Sequence, residues 1–335
     1  MKSLSAETVW QMTDEDLLRV IQDGLFSFEP KRIHFYAPSF MYYKTRYYCS
    51  STVDFPTISV TGKNCTLKCG HCSGKVLETM YPATTPDQLL ELCKRLKQEG
   101  ASGCLISGGC LPDGSIPLGH FAHTIGRIKS ELGLTVVVHT GLIDSGTARS
   151  LAQNGVDTAL IDVMGSDETI SEICNLNARV EDYARSLEVL NEAHISFVPH
   201  VITGLHYGKL KGERYALEMI SKFKPSALVV IAFMPIRGTT MEGIRPPKPV
   251  DIAKVIVAAR LMMPGIPLVL GCMRPKGKHR KETDVLAIKC GVDAIAFPAE
   301  EAVAFAREQG YGITFSSQCC CQTYVDVRDL GNNEK

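Results

Sequence analysis

The chain has 335 residues, 45% hydrophobic and 21% charged, so neither disorder nor a fibrous repeat is suggested and a sizeable core can form. Its 36 basic residues balance 36 acidic ones, which removes the long-range field of a general nucleic-acid or anionic-membrane binder and leaves a small molecule or a protein as the expected partner. Residues 1–14 are polar and no apolar run reaches the length of a membrane span, so a cytoplasmic location is expected and the thirteen cysteines read as metal or catalytic groups rather than secreted disulfides.

In chain order, residues 1–54 form an N-terminal arm with a helix expected over 14–21 and an aromatic stretch over 33–48 that interleaves Lys44 and Arg46. From residue 55, short apolar or β-branched runs alternate with amphipathic segments, the pattern of βαβ units. Strands are expected at 55–60, 103–106, 135–138, 158–163, 196–201, 227–233, 267–270 and 293–297. Helices are expected at 86–98, 144–153, 180–192, 214–223, 251–262 and 282–289. Gly100, Gly155 and Gly291 each stand where a left-handed residue stops a helix and feeds the next strand. Eight such units predict an α/β fold, a (β/α)8 TIM-type barrel over 55–314, with an open variant as the alternative. Residues 315–335 are left as a short tail that carries Cys319, Cys320 and Cys321. Cys93 and Cys290 fall where small buried apolar residues are common and read as core.

Barrel chemistry collects at the C-terminal ends of the strands. After the first expected strand lie Cys65, Cys69 and Cys72, three thiols within eight residues. A structural zinc site closes with four ligands, often as two separated pairs, and no second pair of that kind is evident; a zinc knuckle that recruits His71 is the bland alternative. Three thiolates suit an iron–sulfur cubane with one open iron.

This C-x3-C-x2-C loop after the first strand of an α/β barrel resembles the signature of the radical S-adenosylmethionine (SAM) superfamily. The resemblance implies a 4Fe-4S cluster on Cys65, Cys69 and Cys72 whose open iron chelates SAM, and a 5′-deoxyadenosyl radical as the product of reductive cleavage. His71 stands where the family usually has an aromatic residue near adenine. Gly108 and Gly109 resemble the family's Gly-Gly-Glu motif, whose backbone receives the methionine amino group, with Cys110 in place of the glutamate. Asp162 is similar in position to the SAM- and substrate-binding region of biotin synthase, and Gly204 to a glycine near adenine.

Residues 258–264, with Cys272 and Arg274 beyond them, are similar to a biotin synthase segment that ends on an arginine beside a second, sulfur-donating cluster. The resemblance therefore implies a second iron–sulfur cluster drawn from Cys49, Cys110, Cys272 and Cys319 to Cys321, with Arg274 beside it. Because adjacent cysteines of an extended chain point apart, at most two of the last three are expected on one metal. Free thiols are the alternative. The chain most resembles a subunit of the two-component archaeal-type lipoyl synthase, which implies sulfur insertion into an octanoyl chain on a carrier protein, a partner radical SAM subunit, and an electron donor such as ferredoxin or flavodoxin. Other biotin-synthase-like chemistry on a small molecule (sulfur insertion, methylation, carbon-skeleton change) is the runner-up, and a non-catalytic metal-binding scaffold comes third. The aromatic arm suits covering the barrel mouth, docking an acyl chain, or plain packing on the rim; base stacking conflicts with the neutral charge.

Overall fold

The computed structural model describes residues 4–26 and 32–332. Strands β1 (Arg32–Tyr36), β2 (Thr57–Ser59), β3 (Tyr81–Pro82), β4 (Gly103–Ser107), β5 (Thr135–His139), β6 (Thr158–Asp162), β7 (Phe197–Thr203), β8 (Leu228–Ala232), β9 (Leu268–Leu270), β10 (Ala294–Ala296) and β11 (Gly312–Ser316) form one parallel sheet. Its order is β11-β1-β10-β9-β8-β7-β6-β5-β4-β2-β3, so every expected strand is present beside its sequence neighbour. The edges β11 and β3 do not pair with each other, and the barrel is open on that side among the described residues.

The helices that matter for the site are α1 (Ala6–Gln11), α2 (Asp14–Gln22), α3 (Asp167–Glu172), α4 (Glu213–Ile220), α5 (Pro249–Met262), α6 (Lys278–Lys289) and α7 (Thr323–Asn332). The long apolar run of α5 is buried almost all round because α1 and α2 cover its outer face, where Lys254 donates to the Met12 carbonyl at 2.8 Å. A helix apolar on every side needs such a cover.

Period two sets which residues fill the lumen. Val137, Leu160, Val198, Val229 and Val269 belong to one interior cluster, while their neighbours Val136, Val138, Ala159, Ile161 and Phe197 pack outward under the helices. Stepping two residues up each inward position reaches His139, Asp162, His200, Ile231 and Gly271. A Cβ at Gly271 would meet Ile231 Cγ2 at 2.4 Å, so only glycine fits in that layer.

Two expected boundaries are corrected. The arm is not separate from the barrel, because β1 lies in the sheet between β10 and β11; its burial pattern is four buried residues in a row, which reads as a core strand once two neighbours are known. The tail is not outside either. From β11 the chain turns inward at Ser317 and runs down the lumen, where Cys320, Cys321 and Tyr324 join the interior cluster. Tyr324 reaches Thr158 Oγ1 at 2.9 Å and donates to Asp157 O at 3.2 Å, at the lower end of β6. Residues 1–3 and 27–31 of the expected arm and 333–335 of the expected tail lie outside the described residues.

Most of the aromatic stretch packs on the rim. Phe40 meets Phe297 edge-on at 5.3 Å, Tyr48 stacks on Phe315 at 4.9 Å, and Tyr43 donates to Pro298 O at 2.7 Å. Tyr42 is the exception and is exposed.

Candidate active site

The cysteine loop leaves β2 and is held from three sides. Asn175 Nδ2 donates to Leu67 O at 3.0 Å and to Lys68 O at 3.2 Å, the Gly70 amide donates to Ile173 O at 2.7 Å, and the Thr66 amide donates to Cys110 O at 2.9 Å. Two non-glycine residues in the loop, Lys68 and Ser73, adopt left-handed backbone with φ of 45° and 49°. Such backbone is held only where the surroundings determine it, and here it directs the three sulfurs from one short loop.

Cys69 and Cys72 are hydrogen-bonded neighbours, and Cys65 is paired with Cys110. The Cys110 thiol and the backbone amides of Lys68, Cys110 and Leu67 stabilise the Cys65 thiolate and bring its pKa down to about 5, against the opposing effect of burial. Cys69 and Cys72 are pushed up to about 12, Cys69 first by its contact with Cys174 and Cys72 first by its contact with Cys69. Cys174, whose carbonyl lies 3.3 Å from Cys69 Sγ, was not singled out by the sequence; only the loop after α3 brings it there.

Gly108 and Gly109 lie directly against this loop. The Gly109 amide donates to Thr61 Oγ1 at 2.7 Å, and a Cβ on Gly109 would fall 2.0 Å from Asn64 O and 2.6 Å from Cys65 Cα. Gly204, with φ of 72°, turns the chain after β7, and its amide donates at 2.7 Å to Glu213, a buried carboxylate the sequence did not signal. His71 Nδ1 and Thr203 Oγ1 are buried polar atoms without a hydrogen-bond partner. Of these, His71 belongs to the cysteine loop, so a polar ligand seated there would satisfy an atom that the described residues leave unpaired.

Below the loop, Asp162 collects imidazoles. His139 Nε2 is 3.5 Å from its carboxylate, and the His139 and His200 rings are 6.0 Å apart. Burial pushes the Asp162 carboxyl up, but His139, His200 and His71 outweigh it and hold it at about 2. Burial likewise disfavours the His139 imidazolium, and Asp162 overcomes it and raises the pKa. Neither histidine stood out in the sequence, although each follows an inward valine by two residues.

The three tail cysteines also converge, which corrects the premise that these adjacent thiols point apart. A tight 3-10 turn at Cys320–Gln322 replaces extended chain, and the Sγ atoms of Cys319, Cys320 and Cys321 lie within 4.8 Å of one another. Two thiol donors, Cys320 and Cys321, hold Cys319 well below the usual thiol range. Cys272, pushed up to about 11 by burial, faces the same group. Cys49 does not, being exposed in a turn of the arm. Arg274 is spent elsewhere: it is fully buried, forms a two-pronged pair with Asp284 at 2.7 and 2.9 Å, and donates to the carbonyls of Gly271 and Phe297.

Residues 59–211, which contain this loop and the strands that carry Asp162 and His200, match the family model described as the Radical SAM superfamily. The match covers just under half of the chain, so what it shows is a segment similar to the radical SAM superfamily. Its relatives include the biotin synthase of Leptospira biflexa, 26% identical over 53% of this chain and 51% of that protein, and that of Synechococcus sp., 23% identical over 72% and 74%. The match thus spans about half the length of the first and about three quarters of the second. Among solved structures, methylornithine synthase superposes with a TM-score of 0.63 at 16% identity, covering 98% of this chain and 96% of that one. The FeFe-hydrogenase maturase HydG from Carboxydothermus hydrogenoformans gives 0.62 at 14% identity, covering 95% and 76%. At these identities the likeness is one of fold. The matched family implies a 4Fe-4S cluster and SAM, and a three-thiol loop that holds the unpaired His71 Nδ1 fits both. No helix among the described residues is long and apolar enough to cross a membrane.

Proposed function

We propose that this protein is a radical SAM enzyme that inserts sulfur, and that its substrate chain enters the lumen between two sulfur-ligated centres. The observation that carries the reading is the second thiol group, Cys319 to Cys321, set inside the barrel below the mouth that bears Cys65, Cys69 and Cys72. When bound and reduced, the upper cluster supplies the electron that cleaves SAM into methionine and a 5′-deoxyadenosyl radical, which abstracts hydrogen.

This chain's residues then have separate tasks. Cys65, Cys69 and Cys72 anchor the upper cluster, the backbone of Gly108 and Gly109 lies at the methionine end, and His71, Asp162 and Gly204 bound the nucleoside end. Cys319 to Cys321, with Cys272 beside them, hold a second iron–sulfur centre that serves as the sulfur source. Ile231 gives an apolar side chain to the layer that bears His200, which suits an octanoyl chain carried on a protein lysine. A partner subunit and a ferredoxin- or flavodoxin-type reductant complete this lipoyl-synthase-like reading.

The polar group His139, Asp162 and His200 favours a second reading, a biotin-synthase-like reaction on a small polar molecule. Anaerobic assay with SAM, a reductant and an octanoyl-lysyl peptide separates them: thiolated octanoyl product supports the first. Formation of 5′-deoxyadenosine without thiolation, with and without a partner subunit, refutes it. Cys69→Ala is expected to abolish 5′-deoxyadenosine formation, since two thiolates cannot anchor the cubane beside its open iron. Normal cleavage by that variant would remove the catalytic reading altogether and leave a scaffold.

A further inference from the structure

One imidazole meets the tail thiols. His200 Nε2 lies 3.7 Å from Cys321 Sγ, while His200 Nδ1 lies 3.2 Å from Val198 O. A carbonyl oxygen only accepts, so the ring proton sits on Nδ1 and the Nε2 lone pair is directed at the sulfur group. This is the arrangement by which a backbone carbonyl fixes the tautomer and orientation of a metal-binding histidine.

The spacing agrees with shared ligation. With bonds of about 2.3 Å to sulfur and 2.0 Å to nitrogen, one sulfur and one nitrogen ligand on the same iron, alone or within a cluster, stand roughly 3.5 Å apart. The observed 3.7 Å suits Cys321 and His200 as such a pair, and Cys319 and Cys320, whose Sγ atoms lie within 4.8 Å of that of Cys321, supply the remaining ligands. The framework is fixed rather than loose: Gln322 Nε2 donates to Thr158 Oγ1 at 2.9 Å, Tyr36 donates to Asp326, and Cys321 and His200 are both buried.

We propose that Cys319, Cys320, Cys321 and His200 together ligate the second centre, with the imidazole in place of a fourth thiolate. Cys272 then stands beside the centre without binding it. The inference rests on the two-centre reading above and adds a ligand to it. Replacing a thiolate by a neutral imidazole removes one negative charge from the ligand set, which makes the centre easier to reduce.

The test uses the full chain with Cys65, Cys69 and Cys72 all changed to Ala, so that only the second centre remains. After anaerobic reconstitution, iron and sulfide are measured and the reduced centre is examined by pulsed EPR for directly bound nitrogen. Strong nitrogen hyperfine coupling is expected, retained in His139→Ala and lost in His200→Cys. The latter should keep its iron and shift to a more negative reduction potential. Iron retained without nitrogen coupling would overturn the ligand assignment and leave the two-centre reading standing. So would loss of iron in Cys272→Ala with full retention in His200→Ala. A folded, iron-free parent chain would instead overturn the second centre itself.

Discussion

At Gly109 the missing side chain serves the cysteine loop before it serves a ligand. From the sequence, the Gly-Gly pair lets the backbone approach a methionine amino group, so Gly109→Val would weaken SAM binding alone. The structure adds that a Cβ would fall 2.0 Å from Asn64 O and 2.6 Å from Cys65 Cα, both backbone atoms that cannot swing aside. Gly109→Val is therefore expected to lower iron loading at Cys65, Cys69 and Cys72 as well as SAM affinity, as read by iron content after reconstitution. Full loading would show that the loop yields. Glu213 makes a second prediction. Burial pushes its carboxyl up to about 7 from an ordinary 4.5, although the amides of Gly204 and Lys211 favour the charged form. The folded state then binds more protons than the unfolded state between those values. The contribution is complete below about 4.5 and is lost as pH rises through 7, by up to about 3 kcal/mol. Glu213→Gln should remove this slope, with a constant offset because its amide nitrogen faces the Lys211 amide. Urea unfolding at several pH values measures the difference, and parallel curves for the two proteins would refute the assignment.

At the scale of elements, Arg274 shows how a residue near a site is used to build it. Its guanidinium ties the loop after β9 to Asp284 on α6, and Asp284 also accepts from the Ala299 amide at 2.8 Å beyond β10. Both side chains are fully buried. Arg274→Ala leaves an uncompensated carboxylate in the interior and is expected to cost about 3–5 kcal/mol, seen as a lowered denaturation midpoint. A change below 1 kcal/mol would mean that water reaches Asp284. The elements themselves were well marked. The eight expected strands were legible because short apolar or β-branched runs stand between helical periods and polar loops, three of them after a glycine stop. The strands β1, β3 and β11 were not marked, since β3 has two residues and β1 and β11 alternate poorly until their neighbours are in place.

For the whole molecule, the tail is the unexpected part. An open parallel sheet leaves a lumen, and residues 319–324 fill it from the β11 side. Ending the chain after Gln318 is expected to lower the melting temperature and raise apolar dye binding, because Cys320, Cys321 and Tyr324 leave the interior cluster. Iron at Cys65, Cys69 and Cys72 should persist in that variant, since among the described residues none of the tail holds their loop. Loss of that iron as well would mean that the tail supports the mouth. The sequence by itself determined the strand and helix alternation and the cysteine loop, because period and short spacing are local and need no partner. Only the tertiary structure decided that Cys321 meets His200 and that His139 meets Asp162. Those pairs depend on sheet register and on a turn that gathers three adjacent thiols, and both are settled by packing across more than a hundred residues in the first case.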